Sequence, residues 1–213
     1  GIRGRVVTEV HTCALPSSER VFHRSGPTEV IAVGQEAARL LSVTVHEKLL
    51  RALHQQGLVS GVAVVGKGAH GGETPSADVK RLRTFLPAEL IQSHRDVTPE
   101  RGAALLQKAD LFLSYYPSNL ACKSSALTAA LAAGCVPILP EARVPEPLHE
   151  GTEMLACDGS AEQIARILKF AQEGELGAIG QACWKWYDRE ASWPKAAAEM
   201  AAHRQPKFPN ESA

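Results

Sequence analysis

Six short apolar runs, separated by stretches with helical caps and spacing, constrain what this chain can fold into more than any other feature. The runs are Thr28 to Gly34 (TEVIAVG), Gly61 to Gly66 (GVAVVG), Leu90 to Ser93, Asp110 to Tyr116 (DLFLSYY), Cys135 to Leu139 (CVPIL) and Met154 to Cys157. Continuous runs rich in β-branched residues fit strands buried on both faces. Between them, Thr44 and Glu47 read as a capping box, with Val45, Leu49, Ala52 and Leu53 as one apolar face and Gly57 as the stop. Thr98-Pro99 opens a second helix with Leu105 and Ala109 inward. A third is alanine-rich, carries Leu127 and Leu131, and ends at Gly134. Ser160 and Gln163 cap a fourth, with Ile164, Ile167, Leu168 and Ala171 inward. The predicted helices are 45–56, 99–109, 124–133 and 161–172. Strands alternating with helices of this length imply parallel crossovers and a doubly wound sheet.

Composition excludes several classes. Formal net charge is zero, which argues against a nucleic-acid partner. No run of apolar residues is long enough to span a bilayer, and no signal peptide is visible. The expected location is cytoplasmic. The five cysteines form no CxxC pair and read as reduced, buried thiols. The eight histidines lack HxxxH or HExxH spacing, so no metal site is expected. With 213 residues the chain can bury a full core without staples.

The expected fold class is therefore α/β: a Rossmann-like, mainly parallel sheet of about six strands over residues 28–187. Residues 1–27, with a strand at Arg5 to Val10, read as a segment belonging to something upstream. From residue 175 onward the chain reads as one or two helices carrying Trp184, Trp186 and Trp193, with 188–213 as a C-terminal helix and polar tail.

In an open parallel sheet, ligands sit beyond the carboxyl ends of the strands. Those ends carry Gly34-Gln35, Gly66-Lys67-Gly68, His94-Arg95, Tyr115-Tyr116-Pro117-Ser118 and Pro140-Glu141. Lys123-Ser124-Ser125 stands where a strand-to-helix connection enters its helix. Free N–H groups there, two hydroxyls and one ammonium would suit a phosphate. The plainer reading is a serine cap beside a surface lysine. Neither GxxxxGK[ST] nor GxGxxG nor GxSxG is present, so a P-loop, a dinucleotide fingerprint and a nucleophile elbow are all absent. His70 reads as a loop residue. One ring of Tyr115-Tyr116 reads as core packing. No catalytic residue can be assigned.

Lys108-Ala-Asp-Leu-Phe-Leu-Ser-Tyr-Tyr-Pro-Ser118, followed by Ala129-Ala-Leu-Ala-Ala-Gly-Cys-Val-Pro-Ile138, resembles the C-terminal half of retaining glycosyltransferases of the GT-B fold, the glycogen-synthase-like group 1 type. Val144-Pro145-Glu146, the stretch from Glu150-Gly151 to Gln163, and Ala191-Ser192-Trp193 are similar to later segments of that pattern in the same order. The resemblance runs from about Thr28 to His203. It implies a nucleoside-diphosphate sugar as substrate, no cofactor, no metal, retention of anomeric configuration, and an N-terminal acceptor-binding domain missing from this chain. It places the diphosphate at Lys123 to Ser125, the base near His94-Arg95, and the sugar near Arg143 to Glu146, with Gly34, Gln35, Gly66, Lys67 and Ser118 lining the same mouth.

The chain departs from the family at its charges. The family's glutamate pair, spaced E-x7-E, falls on Ala121 and Ala129. Its diphosphate-gripping arginine and lysine fall on Gln35 and approximately Thr44, with Arg39 as a candidate substitute. Two further readings therefore stand beside the donor-binding domain: a non-catalytic glycosyltransferase-like binding or scaffold subunit, and an unrelated Rossmann-like domain for another phosphate ligand.

Overall fold

A computed structural model describes residues 26–67, 74–116, 124–140, 148–192 and 195. Six strands form one sheet: β1 Thr28–Val33, β2 Val59–Gly66, β3 Ile91–Arg95, β4 Leu111–Leu113, β5 Val136–Leu139 and β6 Leu155–Ala156. Their order is β3-β2-β1-β4-β5-β6, and every pairing is parallel. The expected parallel α/β sheet is what forms. The order reverses between β1 and β4, the place where doubly wound sheets open a crevice at their carboxyl ends.

The central strands are apolar because both faces are covered. Ile31, Val62, Leu111, Leu113, Ile138 and Leu139 are all buried. Each such side chain contributes roughly 1.5–3 kcal/mol relative to exposure. The helices that cover them are α1 Glu36–Val45, α2 Glu47–Gln55, α3 Ala77–Leu82, α4 Pro99–Lys108, α5 Ser125–Ala133, α6 Ala161–Glu173 and α7 Leu176–Trp186. Helix α7 runs into a π-helical turn, Tyr187–Ala191. None of the described helices is long and apolar enough to cross a membrane.

Three of the expected caps are present. The Thr98 hydroxyl accepts from the Arg101 amide, that of Ser124 from Leu127, and that of Ser160 from Gln163. Gly134 ends α5 at φ 71°, a conformation that glycine adopts without Cβ strain.

The predicted 45–56 helix forms as α2, Glu47–Gln55, and its start is corrected. Thr44 is no cap: it lies inside α1, and its hydroxyl donates to the Leu40 carbonyl. Glu47 pairs with Arg51 and Arg81 instead of closing a capping box. The chain makes two helices there, joined at His46. Helices α1 and α3 had no counterpart in the sequence reading. Strand β4 spans Leu111–Leu113 rather than continuing to Tyr116, and β3 continues through His94 and Arg95. The predicted Arg5–Val10 strand and Trp193 lie outside the described residues, while Cys135, Cys157 and Cys183 are buried thiols outside any disulfide.

Candidate functional site at the carboxyl ends of the strands

Gly34 follows β1 and Gly66 ends β2, and both glycines sit at positive φ, 134° and 153°. The two turns touch: a Cβ added to Gly66 would stand 1.9 Å from the Gly34 carbonyl oxygen and 2.6 Å from Arg39 Nη1. Only a residue without a side chain fits at Gly66. Parallel register then puts Arg95 beside Gly66 and His94 beside Val65. The backbone continues the lacing, with the Asp96 amide donating to the Gly66 carbonyl and the Gly34 amide to that of Val65.

The structure thus brings Gly34, Gln35, Gly66, Lys67, His94 and Arg95 together along the β1-β2-β3 half of the crest. Lys67 is exposed. The Gln35 side chain makes no capping hydrogen bond to α1. Arg95 Nη2 donates to the Thr74 carbonyl at 2.7 Å. His94 Nε2 is buried without a hydrogen-bond partner among the described residues. Burial, and secondarily the charge of Arg101, hold the His94 imidazole below its ordinary pKa.

Ser124 and Ser125 stand on the other side of the switch, where α5 begins between β4 and β5. The Ser124 hydroxyl is taken up by the cap, so Ser125, which is exposed, is the free one of the pair. Ser118, Lys123 and Glu146 lie outside the described residues, as does Ala121. Ala129 is on α5, exposed, and offers a methyl group where the resemblance expects a carboxylate.

Arg39 is corrected as a candidate phosphate ligand. It is 2% exposed, and its guanidinium faces inward. Nε donates to Asp78 Oδ2 at 2.5 Å; Nη1 donates to the Gly34 carbonyl at 2.5 Å and reaches the Lys67 carbonyl at 3.4 Å. Glu36, in the first turn of α1, accepts from the Ala77 amide at 2.6 Å and so caps α3. The sequence reading missed this tie between α1 and α3. Its only trace in the sequence is the set Arg39, Ser42, Val43 and His46, spaced as one helix face.

Beneath β4, His46 is 1% exposed and its Nε2 lies 2.8 Å from the Ser114 carbonyl. Burial pushes its pKa down to about 4, against the opposing pull of the Ser114 and Ile138 backbone. The ring is therefore neutral at neutral pH and donates from Nε2. It holds the end of β4 just before Tyr115 and Tyr116, whose rings lie 4.3 Å apart. Their mutual hydrogen bond, then burial, raises the Tyr115 hydroxyl above its ordinary pKa.

A separate cleft, lined by Gly26, Thr28, Asp110, Gly174 and Gly177 among others, lies at the opposite edge, by the amino ends of β1 and β4. The Asp110 carboxylate is engaged there by the Glu29 amide. It belongs to the edge where parallel sheets do not place their ligands.

No protein-family model matches the chain, and no curated protein matches it in sequence. Solved structures do match in fold. TarM aligns with a TM-score of 0.55 at 10% identity, over 84% of this chain and 36% of its own. HepE from Anabaena, solved in complex with UDP-glucose, aligns at 0.56 and 14% identity, over 82% and 48%. WaaG, a glycosyltransferase involved in lipopolysaccharide biosynthesis, aligns at 0.54 and 18% identity, over 87% and 51%. The chain spans about half the length of these proteins or less. Its fold is that of one domain of the GT-B glycosyltransferases.

Proposed function

We propose that this chain is the donor-binding domain of a glycosyltransferase and holds a nucleoside-diphosphate sugar at the carboxyl ends of its strands. The observation that carries the reading is the crest beside the β1/β4 switch. There two glycine turns, an exposed lysine, a neutral histidine and the capped start of α5 gather on the ligand-binding edge of a GT-B-type sheet. The diphosphate is assigned to Lys123 to Ser125, the base to His94-Arg95, and the sugar to the Arg143 to Glu146 stretch. One structure of this fold holds UDP-glucose, so a uridine-diphosphate sugar is the first donor to test. The acceptor and the opposite wall of the cleft come from a second domain, in line with the partial coverage of the matched proteins.

Titration calorimetry with UDP, GDP and ADP tests the assignment. A charge-assisted hydrogen bond contributes roughly 1.5–3 kcal/mol. Lys123→Ala should then weaken binding about tenfold to a hundredfold, with Lys123→Arg losing less and the melting temperature unchanged. Equal binding by Lys123→Ala would remove the diphosphate from that helix start.

A second reading, a non-catalytic binding or scaffold subunit, is favoured by Ala129 and by the inward commitment of Arg39. Both leave the crest short of the charged groups that the resemblance expects. Absence of nucleotide binding at millimolar concentration would decide for it.

A further inference from the structure

Arg39 stands where the chain turns from β1 into α1, and no ligand can reach its guanidinium. Its partner Asp78 is fully buried, and Asp78 Oδ1 accepts from the Val79 amide. The planar fork spends its donors on one carboxylate and on the carbonyls that follow β1 and β2. An ammonium offers a single point charge and cannot serve all three acceptors in that geometry. The Gly34-Gly66 contact lies directly against the same guanidinium. One side chain therefore fixes how far apart the two crest turns stand, and with them the backbone that leads into Gln35 and Lys67.

We propose that Arg39, held by Asp78, is a positioning residue: it locks the Gly34 and Lys67 turns at one spacing and so sets nucleotide affinity without touching the nucleotide. The proposal rests on the donor-binding reading. Its physical content is preorganisation. A crest already held in one arrangement loses less freedom when a diphosphate settles on it. The ion pair itself need not add stability, because a buried pair replaced by apolar residues of similar size often leaves stability unchanged, whereas removing one partner strands a buried charge.

That contrast supplies the test. Arg39→Met/Asp78→Leu removes both charges together and frees the Gly34 and Lys67 carbonyls. It should melt within a few degrees of wild type, bind UDP at least tenfold more weakly, and exchange the Gly34 and Asp96 amides at least tenfold faster, with the β4 and β5 amides unchanged. Arg39→Lys, which keeps the charge, serves if the double variant does not fold. It should also lose several-fold in UDP affinity and loosen the same two amides. A folded variant that binds UDP like wild type and leaves those amides protected would overturn the proposal. A wild-type chain that binds no UDP, GDP or ADP would overturn the functional reading and the affinity claim together, and the amide exchange would still report whether Arg39 locks the turns.

Discussion

Gly66 presses its backbone against the Gly34 carbonyl so closely that a Cβ on Gly66 would fall 1.9 Å from that oxygen. The obstacle is main chain and cannot swing away. Gly66→Ala should therefore destabilise the fold by about 3 kcal/mol, from overpacking together with positive-φ strain. Gly57→Ala is the control: Gly57 has φ +66° but open space around it, so about 1 kcal/mol of strain is expected. Chemical denaturation of both variants checks the difference. Equal losses would mean that the two turns are not in contact.

The buried His46 ring makes acid stability depend on one residue. Its unfolded value is 6.5 and its folded value about 4, so the unfolded chain takes up the proton first. Its contribution is full above pH 6.5 and falls as pH drops from there toward about 4. The loss across that window is on the order of 3 kcal/mol. His46→Gln keeps a donor for the Ser114 carbonyl without the titration. Urea midpoints measured from pH 7 to pH 4 should fall more steeply for wild type than for His46→Gln. Parallel slopes would show that the ring is not buried neutral.

These two sites also mark where the sequence could be read and where it could not. Strands β1 and β2 were legible because apolar runs buried on both faces leave no other reading. The Ser124 and Gly134 ends of α5 were legible because caps are local chemistry. Helix α1 was not. Its buried face is mostly polar: Arg39 and Ser42 are buried beside Val43, with His46 at the C-cap, while Leu41 and Val45 are exposed at 47% and 40%. Apolar periodicity therefore pointed to a helix beginning at Val45. The buried charge of Arg39 makes sense only beside Asp78, which lies far along the chain on α3 and carries no local sign of the pairing. For the same reason the strand-end positions of Gly34, Gly66, His94 and Arg95 were legible, and the bracket behind them was not.

The paired serines at α5 separate cap from ligand contact. Ser124→Ala removes the bond to the Leu127 amide and should cost about 1 kcal/mol of stability. Ser125→Ala touches an exposed hydroxyl and should leave stability unchanged while weakening UDP binding several-fold. Thermal melts and calorimetry on the two variants check this. If Ser125→Ala binds UDP like wild type, its hydroxyl does not meet the diphosphate.

The 213-residue chain alone should transfer no sugar. Transfer requires a cleft that positions both substrates and excludes water, and one domain supplies a single wall. Sustained turnover of UDP-glucose by the purified chain would show that one wall suffices.

A nucleotide that settles at the carboxyl ends of the strands should perturb the amides there, which chemical-shift mapping during a UDP titration would read. Saturable shifts are expected at Gly34, Gln35, Gly66, Lys67, His94, Arg95, Ser124 and Ser125, with Gly26, Gly174 and Gly177 at the opposite edge unmoved. Shifts confined to those three glycines, or none at millimolar UDP, would contradict that placement.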